Sequence, residues 1–298
     1  MNTVRIDGGY FVVFFETTLP RISKHRFLLN TLEKRALLRK SCLGMVAISN
    51  CAKHLQVASS GPNPRMKVLH PPQEITLKGD NGRWNHREPV RFCFLGRDFA
   101  RKGGIEMLRA FDALAELNWH LTIISSLSLQ DYATQYTRSE QAVLKAEVVD
   151  ILERRKGQIK VHDSLPNNEV LEVMLKSHVG LLPTWHDTYG YSVLEFQASG
   201  CPVISTDVRA LPEINNNDCG WVVPVCKKHG AQISPLKTSS ARQRFSEDLT
   251  KDFKEVVSGI LNGSLDDVRS KSQAAIQRIK SDHDPLAHKA ALLKILSG

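Results

Sequence analysis

The sequence has 298 residues, 42% hydrophobic and 24% charged, which is ordinary globular usage and argues against a wholly disordered or collagen-like chain. No apolar run reaches the roughly 18 residues of a membrane-spanning helix. The net charge of +9 is uneven: residues 1–90 carry 14 Lys and Arg against 6 Asp and Glu, whereas residues 91–298 carry 26 against 25. A basic first third suggests an anionic partner such as a phosphate, a membrane surface or a nucleic acid.

The N-terminal segment and the cysteines indicate a cytoplasmic protein. The apolar run Tyr10–Phe15 is too short for a signal-peptide core, and we interpret it as a buried strand. The six cysteines contain no C-x-x-C pair and most have apolar neighbours. This pattern predicts free thiols in a reducing compartment rather than disulfides or a metal site.

The first 90 residues predict a small α/β region that ends in a loop. A basic helix over Arg21–Lys40 follows the first strand, and its Leu28, Leu32 and Ala36 share one face. Short strands are expected at 45–49 and 67–70. Glycines and prolines then cluster, so we place a domain boundary within residues 60–90.

From Arg91 onward, strands alternate with helices, which predicts a parallel sheet with helices on both faces. The predicted strands are Arg91–Leu95, His120–Ser125, Gln158–His162, Val179–Leu182 and Pro202–Ser205. Residues 227–245 are expected to form an exposed insertion, and residues 246–298 to be helical. Ligands of such sheets bind beyond the carboxyl ends of the strands. We therefore expect the site in the loops at 96–103, 163–166, 183–191 and 206–212.

The loop after the first of these strands reads Gly96-Arg97-x4-Lys102-Gly103 and opens a helix. A bidentate guanidinium and a compact ammonium at one strand end suit a diphosphate. The order of residues is not that of a Walker loop, since position 101 is Arg. A solvated basic turn is the alternative interpretation of this loop.

A second loop runs from Pro183 through Asp187 and Gly190 into a helix that carries Glu195. The first-turn amides of that helix are suited to phosphate, and Gly190 lets the backbone approach a ligand closely. A carboxylate in the apolar stretch around Glu195 needs partners, and the hydroxyls of a ribose are one choice. A structural salt bridge is the other.

Taken together, the two loops resemble the retaining glycosyltransferases of family four, which have the GT-B fold. That family typically shows G-R-x4-K-G followed by E-x7-E, and this chain has Asp187-x7-Glu195 eighty-five residues after Lys102. The stretch from Thr188 to Ile204, with Glu195 and a G-C-P-V-I ending, is similar to the family pattern G-F-G-x4-E-A-x-A-x-G-x-P-V-I. Pro212-Glu-Ile and Gly220-Trp-Val-Val-Pro match a further element, so the resemblance covers roughly residues 42–225.

The resemblance implies a role for each matching residue. Arg97 and Lys102 would hold the donor diphosphate, Glu195 would bind the ribose, and Asp187 would take the place of a sugar-contacting glutamate. The remaining donor-binding positions are Gly96, Gly103, Ser164, Leu165, Thr188, Tyr189, Gly190, Tyr191 and Ser192. The Ser164–Leu165 loop would read the base. No metal or cofactor is required in this family, and the donor substrate is a nucleotide diphosphate sugar.

Two departures from the family pattern matter. Asp187 is one methylene shorter than the usual glutamate, which alters the expected sugar contact. The part before the nucleotide domain is about half the length of the family's acceptor domain. We therefore expect a partial N-terminal lobe and linker over residues 1–85, a Rossmann-like nucleotide-sugar domain over residues 86–282, and a C-terminal helix over residues 283–298 that packs back on the N-terminal lobe. Glu16 and His25 are the acceptor-side candidates.

Other features have simpler interpretations. Asp282-His-Asp284 is a D-x-D pattern, but it stands before Pro285, which predicts a helix N-cap rather than a metal site. His162 and His186 are interpreted as hydrogen-bonding or solvated histidines. The basic segment Arg21–Lys40 is either a solvated face or a surface for anionic lipids. Nucleic acid is not expected as a partner, because Phe27 is the only aromatic residue in that segment.

The sequence thus predicts a retaining glycosyltransferase with a glycan or lipid-linked acceptor, in the cytoplasm and at the inner face of the membrane. A non-catalytic nucleotide-sugar-binding module, or one half of a split enzyme, is the alternative.

Overall fold

The computed structural model describes residues 4–19, 27–77, 79, 82–129, 136–225, 236 and 238–297. The chain divides into one unit of residues 1–74 with 280–298 and a second unit of residues 75–279. The second boundary expected from the sequence, 282/283, differs by three residues from this division. The first, 85/86, lies later than the observed one because the connecting segment belongs to the second unit. Its Thr76 and Leu77 N–H groups donate to the Ala198 carbonyl (3.0 and 3.1 Å), and the Arg83 guanidinium donates to the Ser199 carbonyl (3.1 Å).

The first unit contains a three-stranded parallel sheet with the strand order β1-β2-β3. Its elements are β1 (Phe11–Phe15), α1 (Phe27–Leu38), β2 (Cys42–Ala47), α2 (Asn50–Ser60), β3 (Met66–Val68) and the C-terminal helix α10 (Pro285–Leu296). Side chains of β1 and β2, among them Phe15 and Met45, form its core with Leu37. Of the apolar face predicted for α1, Ala36 is buried but Leu32 is exposed.

Helix α10 packs on β2 within this unit. A β-carbon placed on Gly44 would lie 2.5 Å from Cγ2 of Ile295, so the helix approaches the strand closely at this glycine. The Asp284 carboxylate accepts the Ala287 N–H (2.6 Å), and Pro285 occupies the first turn. The prediction that Asp284 caps a helix is confirmed.

The second unit contains a six-stranded parallel sheet with the order β6-β5-β4-β7-β8-β9. Its strands are β4 (Val90–Leu95), β5 (Trp119–Ile124), β6 (Ile159–His162), β7 (Val179–Leu182), β8 (Val203–Thr206) and β9 (Gly220–Val223). Its helices are α3 (Gly104–Asp112), α4 (Arg138–Arg154), α5 (Asn167–Lys176), α6 (Tyr191–Ala198), α7 (Leu211–Ile214), α8 (Ser239–Asn262) and α9 (Leu265–Asp282). The chain fills the sheet outward from β4 in one direction and from β7 in the other, so the topological switch point lies between them.

This architecture confirms the predicted parallel α/β fold and corrects one segment. The expected insertion at 227–245 is helical from Ser239 onward, because Thr238 caps α8 by accepting the Ala241 N–H (3.2 Å) and Arg242 pairs with Glu140 of α4 (2.6 Å). Residues 226–235 and 237 lie outside the described part of the chain.

The cysteines of the described residues, Cys42, Cys51, Cys93, Cys201 and Cys219, are free thiols. None of the helices that the structure describes is both long enough and apolar enough to cross a membrane.

Candidate active site

The loops after β4 and β7 meet at the switch point of the second unit. The Lys102 ammonium donates to Oδ2 of Asp187 at 2.5 Å, and these side chains are only 16% and 11% exposed. The other Asp187 oxygen accepts the N–H of Thr188 (2.8 Å). Because β4 and β7 are adjacent parallel strands, the structure brings these two sequence-predicted residues into one ion pair.

Two glycines let the loops approach this closely. Gly103 has a φ of +78°, and a β-carbon there would lie 1.8 Å from the carbonyl oxygen of Pro183. Any other residue would push the two loops apart and also adopt a strained backbone conformation. A β-carbon on Gly96 would lie 2.9 Å from Cγ of Lys102, so the lysine side chain lies directly over this glycine.

Two arginines of the first loop differ in their surroundings: Arg97 is exposed, whereas Arg101 is bound to neighbouring groups of the protein. Arg97 is exposed, and its guanidinium makes no hydrogen bond or ion pair with any residue that the structure describes. Arg101 pairs with Asp98 and donates to the carbonyl of His186 (2.9 Å). The carbonyl of Arg101 also accepts the Trp185 N–H (2.8 Å). The sequence interpretation missed this role of Arg101, for which a third basic residue within the loop was the only signal.

Helix α6 begins at the site with a left-handed glycine. Gly190 has a φ of +94°, and a β-carbon there would lie 2.4 Å from Cδ2 of Leu211. Tyr189 is fully buried, whereas the neighbouring Tyr191 is 39% exposed. The hydroxyl of Ser192 is buried and has no hydrogen-bond partner within the described chain, so it remains available to a ligand.

Glu195 lies on the second turn of α6 and is half-buried. Burial raises the pKa of its carboxyl above the ordinary value, and the positive charge of Lys102 partly offsets that rise. No hydrogen-bond donor of the described residues reaches its carboxylate. A half-buried carboxylate without a donor is suited to accept hydrogen bonds from the hydroxyl groups of a ligand.

His186, next to Asp187, is neutral at physiological pH. Burial lowers the pKa of its imidazole to about 4, and the nearby cations Arg209 and Arg101 act in the same direction. The backbone of His186 is held by Thr184, whose hydroxyl accepts the His186 N–H (3.2 Å) and donates to the His186 carbonyl (3.0 Å).

The remaining sequence-predicted positions stay predictions. Ser164 and Leu165 lie in the β6–α5 loop, where Ser164 is exposed and Leu165 is half-buried. Glu16 follows β1 in the first unit, and His25 lies outside the described residues. Within the described residues, no group of three or more His, Cys, Asp or Glu side chains is placed to hold a metal ion.

Two α/β units with parallel sheets, one of them carrying a cationic site at its switch point, are the architecture of GT-B glycosyltransferases. Residues 89–232, just under half of the chain, match the family model "Glycosyl transferases group 1". The second unit therefore contains a glycosyl transferases group 1 domain, and both candidate loops lie within it. A comparison with curated proteins found no match.

Solved structures show the same fold at low sequence identity. A glycosyltransferase from Rickettsia africae ESF-5 aligns with a TM-score of 0.63 and 15% identity, over 96% of this chain and 69% of its own. Anabaena Alr3699/HepE in complex with UDP and glucose gives 0.65 and 12%, over 97% and 72%. Sucrose-phosphate synthase from Thermosynechococcus elongatus gives 0.61 and 14%, over 90% and 60%. The chain thus spans between 60% and 72% of the length of these proteins.

Proposed function

We propose that this protein is a retaining glycosyltransferase that transfers a sugar from a nucleotide diphosphate sugar to a glycan or lipid-linked acceptor. The observation that carries the proposal is the Lys102–Asp187 pair at the switch point, beside a half-buried Glu195 without a hydrogen-bond partner in the described chain. The structural neighbour HepE was solved with UDP and glucose, which supports a donor of this class.

The proposed mechanism relies on fixed charges. Lys102 has two further N–H donors after its bond to Asp187, and Arg97 has its whole guanidinium available to a ligand. Both would bind the diphosphate more strongly as negative charge develops on it, which lowers the barrier to its departure. Glu195 would accept the ribose hydroxyls, and the first turn of α6 would contact the diphosphate.

Retention would follow from attack on the face that the diphosphate leaves. The bond from the anomeric carbon to the phosphate oxygen breaks, and a bond to the acceptor oxygen forms on the same face. The acceptor's proton passes to the departing phosphate oxygen, so no protein base is needed. Asp187 would hold the sugar in place with its carboxylate while keeping Lys102 oriented.

Donor binding and turnover test this proposal. Calorimetry and a hydrolysis assay with UDP-, GDP- and ADP-sugars should identify one donor nucleotide. Lys102→Ala should reduce turnover by about 100-fold or more, as loss of an electrostatic group does in other enzymes. Glu195→Ala should sharply reduce turnover at limiting donor, because the ribose hydroxyls lose the carboxylate that accepts them. Matched controls are Glu153→Ala and Lys156→Ala, an exposed ion pair on the same unit. Unchanged turnover in both site variants would contradict the assignment of this protein as a glycosyltransferase.

A second candidate is a non-catalytic nucleotide-sugar-binding module, or one half of a split enzyme. The observation that favours it is the first unit, whose described sheet has only three strands. Donor binding without hydrolysis or transfer, alone and with a partner lobe supplied, would support this candidate instead of an active transferase.

A further inference from the structure

Arg209, in the loop between β8 and α7, adopts a backbone conformation that is unfavourable for its residue type. Its φ is +49°, and in the described chain Leu127 is the other non-glycine residue with a positive φ. Val208 and Ala210 on either side are buried, whereas Arg209 is only half-buried. Arg209 is thus a partly exposed cation between two buried residues, and backbone strain of this kind tends to be retained at functional sites.

The loop that carries Arg209 is held against the β7 loop. Thr206 donates its hydroxyl to the carbonyl of Thr184 (2.8 Å). Leu211 is the side chain that a β-carbon on Gly190 would strike. The charge of Arg209 is also close enough to act on His186. Arg209 thus lies beside the segment from Thr184 to Gly190.

Arg209 carries a positive charge that no carboxylate in the described part of the chain neutralises. Lys102 is paired with Asp187 and Arg101 with Asp98. In contrast, no carboxylate of the described residues lies within ion-pair distance of Arg209. Its neighbour His186 is neutral and supplies no counter-charge. An unpaired guanidinium beside a ligand site favours an anionic group on the ligand.

The order of the strands separates this cation from those assigned to the diphosphate. Arg97 and Lys102 follow β4, whereas Arg209 follows β8, and β7 lies between these two strands. The β7 loop, which carries Asp187, therefore has cations on both flanks. If the diphosphate binds on the β4 side of Asp187, Arg209 is available on the opposite side to bind a second anionic group.

We propose that Arg209 binds a carboxylate on the transferred sugar, so that the donor is a nucleotide diphosphate uronic acid. This inference rests on the proposed transferase function, in which Asp187 contacts the sugar. The planar guanidinium would take the sugar carboxylate in a bidentate pair, and a neutral hexose would leave it unmatched.

Matched donor pairs test the proposal by calorimetry: UDP-glucuronate against UDP-glucose, and GDP-mannuronate against GDP-mannose. For whichever nucleotide the protein binds, the uronate donor should bind at least about tenfold more tightly than the neutral donor, as expected for a charged hydrogen-bonded pair. Arg209→Gly should abolish that ratio, and glycine adopts the positive φ without strain, so the variant should fold. Arg209→Lys should keep only part of the ratio, because an ammonium retains the charge but not the bidentate fork. Arg87→Gly, at an exposed site, should keep all of it.

The outcomes separate this inference from the function on which it rests. The uronate assignment alone is overturned if a donor pair binds without preference for the uronate. It is also overturned if Arg209→Gly leaves that preference intact. Arg209→Gly could also weaken the binding of free UDP or GDP by the same factor as that of the uronate donor. That result would mean that Arg209 binds the diphosphate, and it would overturn the uronate assignment as well. Absence of binding to every nucleotide donor overturns the proposed function together with this inference.

Discussion

Lys102 is the residue that links the two carboxylates of the candidate site. Its ammonium makes a direct ion pair with Asp187, whereas its effect on Glu195 is a charge interaction without a hydrogen bond. Glu195 is therefore the less well stabilised carboxylate, and burial raises the pKa of its side chain. A group kept in such a state is expected at a binding site, where a ligand supplies the missing partners.

Glu195→Gln should stabilise the free protein at neutral pH while weakening donor binding. A carboxyl whose pKa is raised on folding contributes stability below its unfolded pKa and loses that contribution as pH rises through the folded value. Glutamine removes this loss, so we expect a gain of about 1 kcal/mol at pH 7 and little difference at pH 4. Urea unfolding at both pH values measures it. A variant less stable than the parent at pH 7 would contradict this account of Glu195.

Motif spacing predicted Lys102, Asp187 and Glu195 because these residues are defined by their order along the chain. It did not predict Arg101 or Arg209. The role of Arg101 depends on the carbonyl of His186, which is 85 positions away. That of Arg209 depends on a backbone dihedral angle and on the adjacent strand β7. Such properties arise from tertiary contacts, and a single sequence does not contain them.

At the level of elements, regular alternation of apolar strands and helices predicted the parallel sheet of the second unit. Helix α2 was not predicted, because only Ala52 and Gln56 of its residues are buried. A small residue and a polar one give no apolar periodicity. This helix is held by its Ser49 cap (3.0 Å to the Ala52 N–H), by the bond from Gln56 to the Leu19 carbonyl (3.0 Å) and by core contacts of Ala52 and Val57.

The junction of the β4 and β7 loops depends on Gly103, so Gly103→Ala should strongly destabilise the second unit. The left-handed backbone costs alanine about 1 kcal/mol. The clash with the Pro183 carbonyl involves backbone atoms, and overpacking of this kind adds about 1–3 kcal/mol. We expect a loss of about 3 kcal/mol in the free energy of unfolding, measured by urea denaturation, with weaker donor binding because Lys102 moves.

Gly157→Ala is the matched control for this variant. Gly157 has no positive φ, and a β-carbon there would meet no heavy atom within 4 Å. Alanine should leave stability unchanged or raise it by about 0.5 kcal/mol, because it restricts the unfolded chain. Equal stabilities of the two alanine variants would show that the Gly103 contact does not determine how the loops meet.

For the whole molecule, the uneven charge of the sequence follows the division into units. Residues 1–74 and 280–298 carry 14 Lys and Arg against 6 Asp and Glu, whereas residues 75–279 carry 26 against 25. The unit with the candidate site is thus nearly neutral, and Arg97, Lys102 and Arg209 are individual cations near that site rather than part of a basic surface. The resemblance predicted both units, and the cluster of glycines and prolines within residues 60–90 contains the boundary after Glu74. The exact position of that boundary depends on the bonds of Thr76, Leu77 and Arg83, which the composition does not show.

The basic unit presents its charge together with exposed apolar side chains. Lys34, Arg35, Arg39 and Lys40 are exposed around the end of α1, and Leu38 among them is 73% exposed. Cations that surround an exposed leucine are typical of a surface that binds anionic lipid headgroups. We therefore propose that this surface binds a membrane, where a lipid-linked acceptor would be found.

Vesicle sedimentation tests the lipid-binding surface at the end of α1. The protein should bind vesicles that contain phosphatidylglycerol, bind neutral phosphatidylcholine vesicles weakly, and lose binding as salt rises, because charge attraction is screened. Replacing Lys34, Arg35, Arg39 and Lys40 together by Gln should lower the partition coefficient at least about 100-fold, since each surface cation contributes about 1 kcal/mol. The control replaces four exposed lysines of the nearly neutral unit: Lys156, Lys160, Lys176 and Lys251. Equal losses in both variants would mean that net charge alone, rather than this surface, drives the binding.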